Sequence, residues 1–212
     1  MGFKPEMYAE RKAASREKIL ESGFRIFSEK TIDAVNLTEV ADAANVGMAT
    51  VYRHFGTKTA LVLEIGTWIW SRYTRENWQK VENREMRASD FYEHFLDSFI
   101  DLYRNHQDIL RFNQFFNVYV QREDIPKEQL QPYNRMIEGL ARRFHRFYEM
   151  ARVDGTLRTD IPENEMFSST LHLMLAAVTR YAVGLVYDGG TNPEQELLFL
   201  KKMLMNACCT AP

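Results

Sequence analysis

The stretch from Asn36 to Lys58, Asn-Leu-Thr-Glu-Val-Ala-Asp-Ala-Ala-Asn-Val-Gly-Met-Ala-Thr-Val-Tyr-Arg-His-Phe-Gly-Thr-Lys, fits two short helices held by one tight turn. Asn36 is a good N-cap, and Glu39, three residues on, can return a hydrogen bond to the cap's own amide. Leu37, Val40, Ala41 and Ala44 then fall at i, i+3, i+4 and i+7, the apolar stripe of a helix of about two turns. Asn45 stands where the chain must reverse, and asparagine tolerates the left-handed backbone that such a reversal needs. Gly47 is an acceptable N-cap for the second helix. At about 100° per residue, Val51 and Phe55 share the inner side of that helix. Ala49 and Arg53 lie opposite, flanked by Thr50 and Tyr52.

This is the shape whose second helix enters a DNA major groove. Arg53 suits a bidentate contact to guanine, while Thr50, Met48 and Ala49 suit the methyl group of thymine. Thr38, Tyr52, His54 and Lys58 are the candidate phosphate contacts. Lys58 also opens a third helix behind the cap Thr57, and the amides and positive dipole end of that helix favour a phosphate. The same spacing fits a helix pair that merely packs inside a helical enzyme or small-molecule carrier. Periodicity alone leaves both readings open.

The individual residues go further. Arg16-x-x-Ile19-Leu20, Phe27, Val40-Ala41, the run Thr50-Val51-Tyr52-Arg53-His54-Phe55, Lys58 and Leu61 resemble, in order and spacing, the N-terminal domain of TetR-family transcriptional repressors. The resemblance covers roughly Ser15 to Leu63, and Tyr52-x-x-Phe55-x-x-Lys58 is its most specific part. It implies a cytoplasmic dimer with an all-helical fold of about nine helices, and a C-terminal domain that usually binds a small-molecule inducer. Departures are visible. Thr31 stands where the family commonly has a glycine, Asn45 and Gly47 replace the usual Gly and Ser around the turn, and Met48 and Ala49 occupy positions often held by Lys and Gly. None forbids the geometry, but the operator sequence cannot be taken over from relatives.

The whole chain carries a net charge of -2 over 212 residues, so bulk electrostatics argue only weakly for DNA. Five cations, Lys4, Arg11, Lys12, Arg16 and Lys18, gather before or within the first helix. They suit an arm on the DNA backbone or in the minor groove, and equally a solvated helix start. No apolar stretch approaches the roughly 18 to 20 residues of a membrane span, so a cytoplasmic protein without membrane contact is expected. Both cysteines, Cys208 and Cys209, are adjacent near the C-terminus, which excludes a disulfide framework. That tail offers too few ligands for a metal site, and the five histidines are scattered without metal-binding spacing. No nucleophile with an orienting base and no Gly-rich phosphate loop is present, so neither catalysis nor a cofactor is expected.

Nothing alternates with period two for long enough to suggest a sheet, and the chain reads as all-α. The expected organisation is a three-helix DNA-binding domain over residues 1–60 and a helical ligand-sensing and dimerisation domain over residues 61–212. Predicted helices run from about Ser15 to Lys30, through the pair at 36–55, and from Lys58 toward Val81. Others follow at Asp90 to Asn105, at about Gln107 to Glu123, from Pro126 and Pro132 to Asp154, and from Pro162 to about Tyr187. Asp188-Gly189-Gly190 should stop that one, and Pro193 should start the last. Gly23, inside the first helix, marks a close helix contact.

Phe91, Phe95 and Phe99 recur every four residues, and Phe112, Phe115, Phe116 and Tyr119 fall at i, i+3, i+4 and i+7. These stripes are either plain core or the wall of a pocket for an apolar or planar ligand. Phe95, Phe99, Phe112, Phe115, Phe116 and Tyr119 are accordingly candidate ligand contacts, with Trp68 on the linking helix. His172 and Arg180 interrupt the apolar run 167–186, as pocket groups, interface hydrogen bonders or side chains reaching to the surface. Leu171, Leu175 and Val178, with Leu197, Leu200, Met203 and Leu204, offer more apolar surface than one helix pair can hide. A four-helix interface between two copies would cover it.

The expected function is a homodimeric repressor that binds a near-palindromic double-stranded operator and leaves it when a small apolar or aromatic inducer binds. The alternatives are a helical carrier or enzyme with a structural helix pair, and a ligand-independent DNA-binding regulator.

Overall fold

The computed structural model describes residues 5–82, 84–184, 186–187, 189–190 and 192–210. Among them are nine α-helices: α1 (Pro5–Glu29), α2 (Leu37–Ala43), α3 (Met48–Phe55), α4 (Lys58–Gln79), α5 (Ala88–Asn105), α6 (Gln107–Arg122), α7 (Lys127–Asp154), α8 (Glu163–Ala182) and α9 (Pro193–Cys208). A 3-10 turn, Ile32–Ala34, joins α1 to α2. The only extended pairing among the described residues is an isolated antiparallel bridge between Leu157 and Cys209. The all-α reading holds.

Most boundaries follow from local chemistry. Pro193 sits in the first turn of α9 behind Asn192, whose side chain accepts the Glu194 amide at 2.8 Å, the expected proline and cap arrangement. Two boundaries differ from the sequence reading. α1 begins at Pro5, about ten residues earlier than predicted. Residues 9–14 are exposed good helix formers without an apolar stripe, so periodicity gives no sign of them. α8 ends at Ala182, not near Tyr187, because Gly184 takes a left-handed φ of 75° and its amide turns back to Tyr181 O at 3.1 Å. Of the predicted stop, Asp188 lies outside the described residues, as does the cation Lys4.

Packing groups the chain into two compact units that interleave along the sequence: residues to Ser71 with Phe112–Asn134, and Arg72–Arg111 with the residues from Arg135 on. Helices α4, α6 and α7 each contribute to both. In the first unit, α1, α2 and α3 pack on one another around Ile19, Leu20, Phe27, Val40, Val51 and Phe55, all buried. Gly23 of α1 is a close contact, since a Cβ there would lie 2.7 Å from Ile65 Cδ1 on α4. The aromatic residues of α6 complete this unit. Phe112 meets Phe24 edge-on at 5.6 Å, and Phe116 lies 5.0 Å from Tyr133 and 5.7 Å from Phe112.

The second unit is built on α5, which packs against α8 and α9. Phe91 stacks on Phe147 at 4.1 Å beside Trp78, and buried Val81 joins that cluster. A second group of rings joins Phe95 to Phe99, Phe144 and Phe167 at 5.2, 5.7 and 6.2 Å. The buried Tyr92 hydroxyl is satisfied by Thr170 Oγ1 at 2.8 Å and Cys208 Sγ at 3.3 Å.

Candidate nucleic-acid interface

The helix pair is assembled by its own short-range chemistry. Asn36 Oδ1 accepts the Thr38 amide at 3.0 Å, and Glu39 Oε1 accepts the Asn36 amide at 3.0 Å, a complete capping box on α2. Glu39 also receives the Lys30 ammonium at 2.7 Å. That ion pair and the Asn36 amide hold its carboxyl below the usual glutamate range. At the turn, the Ala44 amide reaches Val40 O and the Val46 amide reaches Ala41 O, both at 3.0 Å. Asn45 carries the reversal with φ 53°. Gly47 N-caps α3 in extended conformation, its carbonyl accepting the Thr50 amide at 2.8 Å.

Val51 and Phe55 are buried on the inner side of α3, while Ala49, Tyr52 and Arg53 are exposed. Tyr52 is 52% exposed, so its ring is open on the outer face of the helix. Arg53 Nη2 donates to Thr50 Oγ1 at 3.3 Å, which aligns the guanidinium along the outer face. Met48 and Thr50 are half-buried, and Thr38 is exposed on the neighbouring helix.

Two expected phosphate contacts are drawn inward, Lys58 by hydrogen bonds and His54 by burial. The Lys58 ammonium donates to Val35 O at 2.7 Å and Asp33 O at 3.4 Å, tying the start of α4 to the turn before α2. His54 is half-buried, and its Nε2 is enclosed without a hydrogen-bond partner. Burial first, then the cations Arg53, Lys12 and Arg16, lower its pKa and favour the neutral ring. Lys12 and Arg16 of α1 thus lie near enough to His54 to disfavour its protonation. Arg16 is itself paired with Glu64 and lies over the Phe55 ring at 5.5 Å.

The candidate ligand residues are divided between the two units. Trp68, Phe112, Phe115, Phe116 and Tyr119 belong to the first unit; Phe95, Phe99 and His172 belong to the second. Phe112, Phe116, Tyr119 and Phe99 are buried, Trp68, Phe95 and Phe115 are half-buried, and His172 and Arg180 are exposed. Sequence periodicity missed how α6 is held to α4 and to the turn before α2. Tyr119 Oη and Thr59 Oγ1 share a hydrogen bond of 2.9 Å, and Arg122 pairs with Asp33 at 2.9 Å. Those partners are about 60 and 90 positions apart, beyond any local pattern. The only sign in the sequence is that α6's stripe ends in a tyrosine, whose hydroxyl needs a partner when buried.

Residues 19–65 match the model of the bacterial regulatory proteins of the tetR family. A negative transcriptional regulator of the biofilm operon icaADBC, IcaR from Staphylococcus aureus, is 25% identical over 148 residues, covering 66% of this chain and 73% of IcaR. Among solved structures, a transcriptional regulator from Saccharomonospora viridis in complex with choline superposes with a TM-score of 0.76 at 14% identity, covering 94% of this chain and all of that one. The fatty acid degradation regulator FadR from Bacillus halodurans gives 0.71 at 11% identity over 97% of both chains. At these identities the structural likeness speaks for the fold, and the family model speaks for the DNA-binding helices. Residues 19–65 thus form a DNA-binding region of the tetR-family type, and the chain has the fold of the transcriptional regulators on which it superposes.

Proposed function

We propose that two copies of this chain bind a near-palindromic operator as a repressor, and that a small apolar or aromatic compound releases them. The outward face of α3 carries this reading: Ala49, Tyr52 and Arg53 are exposed on a short helix whose inner face is buried through Val51 and Phe55. On it Arg53 reads a base, Thr50 and the Met48-Ala49 surface meet a thymine methyl, and Tyr52 and Thr38 hold phosphates. The amides opening α4 supply the phosphate grip that the Lys58 ammonium leaves to them. Repression is favoured by the likeness to a negative regulator.

Two copies meet through α8 and α9. Leu173, Leu198, Phe199 and Met203 are exposed there, Phe199 at 63%, an apolar surface that a second copy would cover. The inducer lies among the rings around Phe95 and Phe99. Trp68, Phe112, Phe115, Phe116 and Tyr119 transmit its effect, because α4 and α6 are shared between the two units. It acts by preferring one arrangement of the two DNA-binding heads, and shifts the equilibrium only by that preference.

A gel-shift experiment with DNA upstream of the protein's own gene tests this. A discrete complex with a two-fold symmetric footprint is expected, dissolved by an aromatic or lipophilic ligand and restored when the ligand is removed. Absence of binding to any duplex at low salt would refute the reading.

A further inference from the structure

Among the described residues, one place gathers three metal-ligating side chains outside the DNA-binding face: His145 and Glu149 on α7, and Glu163 on α8. Their donor atoms all lie within 4.8 Å of one another. His145 and Glu149 are four positions apart and so project from the same face of α7. Glu163 is the first residue of α8, and its Oε2 lies 2.9 Å from His145 Nδ1.

Buried structure, rather than these surface groups, enforces the approach. The hydroxyl of buried Tyr148 reaches Ile161 O at 2.5 Å and Thr159 O at 3.1 Å, clamping the segment before α8 onto α7. The Arg158 amide donates to Cys208 O at 2.8 Å, fixing the same segment to the end of α9. Phe144 and Phe147 anchor α7 on either side of His145, and Met166 buries the first turn of α8. Glu163 is thus delivered to His145 by the fold.

We propose that His145, Glu149 and Glu163 bind one divalent transition-metal ion of the zinc, cobalt or nickel class. One imidazole and two carboxylates suit borderline cations. Calcium and magnesium favour all-oxygen shells, and copper(I) favours sulfur. Around an ion with bonds of about 2.0 to 2.2 Å, neighbouring donors stand about 3.4 Å apart, so modest side-chain rotation closes the set. His145 and Glu149 are exposed, which leaves further positions to water. The fold also supplies a competitor: Arg152 Nε holds Glu149 Oε1 at 3.0 Å, and an entering ion must displace it. Once bound, the ion staples the C-terminal half of α7 to the start of α8.

The test titrates the full chain at neutral pH with Zn2+ by calorimetry and with Co2+ by visible absorption. One ion per chain is expected, with ligand-field bands of cobalt and no thiolate charge-transfer band. His145→Ala and Glu163→Gln, each checked for unchanged circular dichroism without metal, should weaken binding by about tenfold or more, as loss of a ligand or its direct partner does. Arg152→Gln should tighten it by roughly two- to fivefold, the effect of removing an exposed ion pair. A pure ion-pair network predicts no binding. Absence of both signals at millimolar metal, affinities that the His145 and Glu163 substitutions leave unchanged, or a thiolate band placing the ion on Cys209 would each overturn the assignment.

Discussion

Alanine at two helical glycines should have different effects in this fold. Gly66 in α4 and Gly139 in α7 would each gain about 1 kcal/mol of helix propensity as alanine. At Gly139 the new Cβ would meet only Arg142 Nη2, at 3.7 Å, an ordinary contact with a mobile group. Gly139→Ala should therefore stabilise by close to that amount and raise Tm by about 2 to 4 °C. At Gly66 the Cβ would lie 2.8, 3.1 and 3.3 Å from three carbons of the Phe116 ring. That ring is 2% exposed and backed by Phe112 and Tyr133, so it has nowhere to withdraw. Overpacking of this kind costs about 1 to 3 kcal/mol, which outweighs or cancels the propensity gain. Gly66→Ala should be neutral or destabilising by up to about 2 kcal/mol. Urea denaturation followed by circular dichroism measures both, and a Phe116→Leu background should make Gly66→Ala less costly. If Gly66→Ala stabilises as much as Gly139→Ala, the close packing of α6 on α4 is refuted.

Two further outcomes follow from the hydrogen bonds. Lys58→Met removes a charged donor from Val35 O and Asp33 O, and should destabilise the fold by about 1.5 to 3 kcal/mol. The slope of log affinity against log salt should stay unchanged, whereas loss of a phosphate contact would lower it by about one. Asp154 accepts the amides of Ala88 and Thr156 at 2.7 and 2.9 Å; burial raises its pKa, but these bonds outweigh that and lower it. Its folded value thus lies below its unfolded one, so its stabilisation is full above about pH 4 and is lost as pH falls through the folded value. The stability gap between wild type and Asp154→Asn, read from urea midpoints, should be constant from pH 7 to 5 and shrink toward pH 3; a gap that widens on acidification would contradict this.

The parts of this molecule legible in sequence are those set by neighbours in the chain. The Asn36 and Glu39 capping box, the left-handed Asn45, the Gly47 cap and the inward Val51 and Phe55 all depend on contacts within a few residues, and each stands as the residues indicate. Tertiary choices were less visible. Nothing local says that α6 sends Phe112 to Phe24 and Phe116 to Tyr133 while α5 sends Phe95 to Phe144 and Phe167, because both stripes have the same period. The ammonium of Lys58 looked free for phosphate only until the carbonyls of Asp33 and Val35 were brought to it by the fold. His145 and Glu149 are visible as a pair at helical spacing, but Glu163, fourteen positions after Glu149, joins them only through the turn between α7 and α8.

The central claim is that the outward face of α3 reads DNA. It is tested most directly by fluorescence anisotropy of wild type, Arg53→Ala and Tyr52→Ala on upstream operator DNA and on a scrambled duplex of equal length. Arg53→Ala should lose about 1 to 3 kcal/mol on the operator and far less on the scrambled duplex, as loss of a base contact requires. Tyr52→Ala should weaken both alike. Operator affinity unchanged in both variants would contradict the account.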